Sequence, residues 1–178
     1  MAFIEDTISS KLVYEGPVFK VRKHTVNAVR GKTAVRDVVE HGGGSVMVVL
    51  LDSGKILLEK QYRKAVGEEV IELPAGKRDP GENFIKAAER ELQEETGYIA
   101  ADIDYLTTIY TSVGYSSERL DIFFCTQLTP GERHLDPTED IDIEEVCPDD
   151  AIEMVMNGRI KDGKTVTGLL YARAKGLI

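Results

Sequence analysis

The chain has 178 residues, 42% hydrophobic and 30% charged, which is the profile of a soluble domain large enough for a full core. A formal net charge of −9 argues against a sequence-independent nucleic-acid binder, which needs a basic face. No apolar run approaches the ~20 residues needed to span a bilayer, and the opening MAFIEDTISS carries acids where a signal peptide has basic residues, so a cytoplasmic protein without membrane contact is expected.

In chain order, residues 1–42 read as a β-rich segment. Leu12 to Tyr14, Val18 to Val26 and Thr33 to Glu40 form short strands, with turns at Gly16-Pro17 and Arg30-Gly31. These strands are partly polar and bury little alone, so they are expected to pack on the rest of the chain or on a second subunit. Gly42-Gly43-Gly44 marks the boundary to a second region, 43–178. There, Ser45 to Leu51 is a continuous apolar run and reads as a fully buried strand. Lys55 to Gln61 and Glu69 to Leu73 follow as strands, and Pro74-Ala75-Gly76 is expected to break the last of them. A helix is predicted from about Glu82 to Thr96. At ~100° per residue its apolar stripe is Ile85, Ala88 and Leu92, with Phe84 at one margin. Ile103 to Tyr110, Leu120 to Leu128 and Ile143 to Cys147 read as further strands. Pro148 to Met156 reads as a helix, and Asp162 caps a last helix carrying Val166, Leu169, Leu170 and Ala174. Cys125 and Cys147 lack metal-ligand spacing and read as buried, reduced thiols, with a disulfide as the alternative. Strands, a helix, more strands and two helices suggest a mixed sheet sandwiched by helices.

The stretch Gly76 to Tyr98, GKRDPGENFIKAAERELQEETGY, breaks local rules. Glu91 and Glu95 stand four apart on one helix and repel by roughly 0.2–0.5 kcal/mol. Glu94 adds a third carboxylate near the negative end of the helix dipole, which Gly97 closes. Glu91 and Glu95 flank the buried margin, and Arg90 is placed to brace Glu94. A segment that is locally unfavourable without visible compensation is a functional-site candidate. A divalent cation, which prefers oxygen ligands, would supply the compensation.

The same stretch resembles the Nudix box, GX5EX7REUXEEXGU, where U is aliphatic. Gly76, Glu82, Arg90, Glu91, Leu92, Glu94, Glu95 and Gly97 fill its fixed positions, and only Tyr98 departs, being aromatic. The resemblance implies an α+β fold, an α/β/α sandwich with a mixed sheet, here preceded by a small N-terminal antiparallel sheet. It implies hydrolysis of a nucleoside diphosphate derivative with two or three Mg2+ ions, Mn2+ being the alternative. It also implies that Glu91 and Glu95 are the principal metal ligands, supported by Glu94 and the carbonyl of Ala75. Glu82 and Arg90 would orient these carboxylates.

Outside the box, RDVVEH at 36–41, QYR at 61–63, IELPAGK at 71–77, TSVGYSSE at 111–118 and KDGKTVTGLL at 161–170 resemble the ADP-ribose pyrophosphatases. By that resemblance Arg63 contacts substrate phosphates or ribose, with a surface strand arginine as the bland alternative. Arg36 is similar to an arginine that reaches the substrate across a dimer interface. Phe19 falls near an aromatic that stacks on adenine, and a core or interface phenylalanine is the alternative. Glu118 is similar to a loop glutamate that positions or deprotonates the attacking water; a solvated loop acid is its alternative. In place of the subfamily's Ser-Pro-Gly this loop has Ser112-Val113-Gly114. The expectation is therefore Mg2+-dependent cleavage of ADP-ribose to AMP and ribose 5-phosphate by a homodimer with exchanged N-terminal segments. Another nucleoside diphosphate sugar, such as GDP-mannose or another ADP-sugar, is the alternative substrate, and a non-catalytic ADP-ribose sensor is the alternative class.

Overall fold

The computed structural model describes residues 3–178, and their contacts divide the chain into two compact units. The first comprises the residues up to Gly43 together with Tyr110–Arg119. Its strands β1 (Thr7–Glu15), β2 (Phe19–Asn27) and β3 (Thr33–His41) form an antiparallel sheet in the order β1-β2-β3. Each strand runs nine residues, so β1 is far longer than the Leu12–Tyr14 core read from the sequence. Register shifts between Thr7 and Ser9 and between Leu12 and Tyr14 let it follow β2. The segment 110–119 is tied to β3 by Val39 N–H donating to Tyr115 O (2.7 Å) and Ser117 N–H to Val39 O (2.9 Å).

The second unit, Gly44–Ile109 with Leu120–Ile178, holds the core. One sheet has the order β7-β4-β9-β8, built from β7 (Ala75–Lys77), β4 (Gly44–Val49), β9 (Arg119–Pro130) and β8 (Tyr98–Tyr110). Because β4 runs parallel to β9 and antiparallel to β7, the sheet is mixed. A second sheet has the order β10-β5-β6, from β10 (Ile141–Val146), β5 (Ile56–Arg63) and β6 (Glu68–Glu72), antiparallel throughout.

Alternation along the strands sorts the core into two layers. Val46, Val48, Ile56, Leu58 and Ile122 face Ala151 and Met154 of α2 (Pro148–Met156) and Leu169 and Ala172 of α3 (Gly163–Ala174). Met47, Val49, Leu57, Phe123 and Cys125 face Ala88 and Leu92 of α1 (Phe84–Thr96). Helices thus cover both faces, and the expected α/β/α sandwich with its small N-terminal sheet is what the chain forms.

Three local expectations need correction and one needs refining. β6 ends at Glu72, ahead of Pro74-Ala75-Gly76 as expected, but strand structure resumes at Ala75 in β7, which pairs with β4. Ile85 is 39% exposed because it lies in the first turn of α1, and the buried stripe is Ala87, Ala88, Leu92, Glu95 and Thr96. Leu170 is likewise on the outer face of α3, whose buried positions are Thr165, Gly168, Leu169 and Ala172. Both cysteines are free, but only Cys125 is buried; Cys147 occupies the exposed N-cap position of α2. Among the described residues no helix is long and apolar enough to cross a membrane.

Candidate active site

Helix α1 is set at both ends by its own sequence. The Asn83 side chain accepts from Lys86 N–H (2.9 Å), and Gly97 takes a left-handed conformation (φ 75°) that lets its N–H reach Gln93 O at 2.8 Å. Between the caps, Ala87, Ala88 and Leu92 press the helix against the sheet. Ser45 Oγ of β4 donates to Phe84 O (2.6 Å) and pins the first turn.

This docking brings the helix glutamates against β7. A side chain at Gly76 would put its Cβ 1.8 Å from Glu91 Cδ, so any other residue there displaces the Glu91 carboxylate. Gly44 of β4, paired across the strands with Lys77, is constrained in turn, since a Cβ would meet Gly76 O at 2.5 Å. Glu95 Oε2 accepts from Ala75 N–H (3.0 Å), and Arg133 Nε donates to the backbone carbonyl of Glu95.

Arg90 gathers the remaining acids. Its Nη1 donates to Glu91 Oε1 (2.9 Å) and Glu94 Oε2 (2.8 Å), its Nη2 to Lys77 O (2.9 Å), and Nε and Nη2 both to Glu82 (3.2 and 3.1 Å). Glu82 also accepts from Asp79 N–H (3.0 Å). The hydrogen bond from Arg90 holds the Glu82 carboxyl below the usual carboxylate range. Burial pushes Glu91 up, against the pull of Arg90. Burial also pushes Glu95 up to about 9, and the charges of Glu59 and Glu91 add to it. Carboxyl groups crowded together and buried beside a carbonyl-bearing strand resist ionising unless a cation joins them, and their oxygens are the donors a hard cation prefers. Among the described residues no three acidic, thiol or imidazole side chains already converge on one point, and Arg90 holds Glu91 and Glu94. In donor chemistry the set fits Mg2+ or Mn2+, and the absent side chain at Gly76 is what lets Glu91 lie along β7.

Residues 42–167 match the NUDIX domain family. The chain belongs to that family. It is 35% identical to the ADP-ribose pyrophosphatase of Bacillus subtilis (strain 168) over 96% of this chain and 94% of the relative. It is 33% identical to the methanol dehydrogenase activator of Bacillus methanolicus over 95% of this chain and 92% of the relative. The GDP-mannose pyrophosphatase of Yersinia enterocolitica is 30% identical over 90% of this chain and 91% of the relative. Among solved structures, an ADP compounds hydrolase superposes with a TM-score of 0.84, covering 98% of this chain and 97% of its own. At 20% identity that likeness bears on the fold.

The other candidates of this NUDIX chain fall in both units. In the second unit, Arg63 makes a two-pronged contact with Glu72, Nε to Oε1 at 2.7 Å and Nη2 to Oε2 at 2.9 Å, and Lys164 Nζ also donates to Glu72. Arg63 lines a cleft of about 580 Å³ together with Val66, Glu72, Arg159, Lys161 and Lys164. In the first unit, Arg36 is held by Glu5 at 3.0 and 2.6 Å, and the half-exposed Phe19 lies against Tyr14 with ring centroids 5.4 Å apart. Glu118 accepts from Thr111 Oγ1 (2.7 Å), and its own N–H donates to Ser116 Oγ (3.1 Å). His41 Nδ1 lies 3.5 Å from Glu118 but already accepts from Gly43 N–H, so in the neutral ring it is no donor to that carboxylate.

Sequence reasoning gave no role to Arg133, which holds the Glu95 carbonyl, or to Glu72 and Lys164, which pair with each other beside Arg63. The legible signal was charge at positions otherwise occupied by apolar partners, as in VIELP and GKTV.

Proposed function

We propose that this chain hydrolyses the pyrophosphate bond of ADP-ribose, giving AMP and ribose 5-phosphate. The observation that carries the chemistry is the Gly76–Glu91 clasp within a NUDIX box that departs only at Tyr98, which leaves a carboxylate lying on β7 beside Glu95. The similarity to ADP-ribose pyrophosphatases over nearly the full chain supports the substrate.

In this reading two or three Mg2+ ions, or Mn2+, are held by Glu91, Glu95, Glu94 and the Ala75 carbonyl, where they would polarise the phosphoryl oxygens and acidify the attacking water. Arg90 and Glu82 hold the ligand carboxylates in place. Glu118 positions the water and takes its proton. Arg63 exchanges part of its contact with Glu72 for the substrate phosphates, to which its planar fork is suited. Arg36 and Phe19 serve the substrate from the partner of a homodimer that covers the exposed apolar residues of the N-terminal sheet.

The test incubates the protein and Mg2+ with ADP-ribose, GDP-mannose and further ADP-sugars and identifies products by chromatography. Release of AMP and ribose 5-phosphate with the highest kcat/KM on ADP-ribose is the expected result. Preference for GDP-mannose, the substrate named for one group of relatives, would replace the substrate assignment. Glu95→Gln should keep its circular dichroism and lose more than about 100-fold in kcat, above what loss of an outer partner costs. Full activity in that variant would sink the metal assignment.

A further inference from the structure

Glu59 is a charged residue inside the run ILLEKQYR of β5, the middle strand of its sheet. It is 5% exposed, and its Oε1 has no hydrogen-bond partner. A buried carboxylate oxygen without a donor costs on the order of 1–3 kcal/mol, and an aliphatic residue like the adjacent Leu58 would avoid that cost. An unsatisfied buried oxygen of this kind calls for a ligand or ion.

Its position says which ligand. Glu59 is two residues beyond Leu57 and shares that side of β5, the side facing α1, because Leu57 packs with Ala88 and Leu92. Glu95 is three residues beyond Leu92 on the corresponding face of α1 and is also buried. The two buried carboxylates thus extend the Leu57–Leu92 layer from strand and helix. Glu72, directly across from Glu59 on β6, already has Arg63 and Lys164 as donors, and Glu95 has Ala75 N–H. The Glu59 oxygen is left over.

We propose that Glu59 is a further oxygen donor to the divalent-ion site built on Glu95, supplied by the sheet and lying outside the family box. The inference rests on the metal site of the proposed function. Sharing a cation offsets the mutual repulsion of the two buried carboxylates and gives the unpartnered oxygen its contact. It also makes the site part strand and part helix, which fixes the ion relative to both layers.

Mn2+ binding to the full-length protein tests this without reference to turnover. Free Mn2+ is followed by electron paramagnetic resonance for the wild type, Glu59→Gln and Glu95→Gln, alongside the Mn2+-induced rise in Tm. Glu59→Gln should bind Mn2+ about tenfold or more weakly, or bind fewer ions, with a smaller rise in Tm. Glu59→Leu, which replaces the acid by a side chain like its neighbours, should behave the same and provides a second folded variant, checked by circular dichroism. Unchanged Mn2+ affinity and stoichiometry in the Glu59 variants, with weakened binding in Glu95→Gln, would overturn the role of Glu59 alone. Unchanged binding in Glu95→Gln as well would overturn the metal site of the proposed function and this inference with it.

Discussion

Strands β4 and β1 both carry aliphatic side chains, and these meet opposite fates. All six positions of β4, GSVMVV, are buried, whereas all nine of β1, TISSKLVYE, are exposed, including Ile8, Leu12 and Val13. The cause is layering. β4 has β7 and β9 on its flanks and a helix layer on each face, so both sets of alternating side chains find partners. β1 is an edge strand with β2 on one side only. Hydrophobic stabilisation follows area removed from water, so it is concentrated in the second unit, and that unit carries the helix glutamates. The metal-binding candidates therefore stand on the unit that holds the core. Arg36, Phe19 and Glu118 stand on a unit in which Val26 is the one buried hydrophobic residue among those described.

The sharpest way to break this contrast is at α1. Leu92 is fully buried among Met47, Val49, Leu57 and Phe123. Leu92→Ala should lower unfolding free energy by about 2–5 kcal/mol in urea titration. A loss below 1 kcal/mol would mean that the helix layer is not the anchor of the site. Gly76→Ala comes next. Its Cβ would force Glu91 off β7, so kcat should fall by about 100-fold, as for a displaced ligand partner, with a stability change of about 1–3 kcal/mol typical of overpacking. Wild-type activity in that variant would remove the clasp from the mechanism.

How much of this was legible depended on whether the cause was local. The box could be read because a helix fixes the relative directions of Glu91, Glu94 and Glu95 from spacing alone and Gly97 marks its end; its start, read at about Glu82, is set instead by the Asn83 cap. The reason for Gly76 was not legible, since it needs β7 alongside α1, a contact between segments. Ile85 was misread for the same reason: periodicity gives a face but not which margin the sheet covers. Glu59 is the clearest case. A lone glutamate in a strand reads as a solvent-side residue, and only the flanking β10 and β6 and the helix layer make it buried.

A smaller effect is expected at the start of α1. Asn83 caps the helix through Lys86 N–H, so Asn83→Ala should cost about 1 kcal/mol. Thermal denaturation reads this directly, and a cost near zero would assign the helix start to the Ser45–Phe84 contact instead.

The smallest effect on unfolding is expected in β1, and it decides what the exposed sheet is for. Replacing Leu12 and Val13 together by serine removes apolar groups that are half in water already. Exposed substitutions usually change stability by less than about 0.5 kcal/mol, and the urea midpoint of the monomeric chain should move no further. If a second copy covers this face, as the proposed homodimer requires, the same change should halve the mass seen by light scattering at micromolar concentration. It should also abolish any dependence of Tm on protein concentration, because only an associating surface couples stability to concentration. A wild-type mass of one chain would instead leave β1 as a solvent-facing edge, and Arg36 and Phe19 could then act only within their own chain.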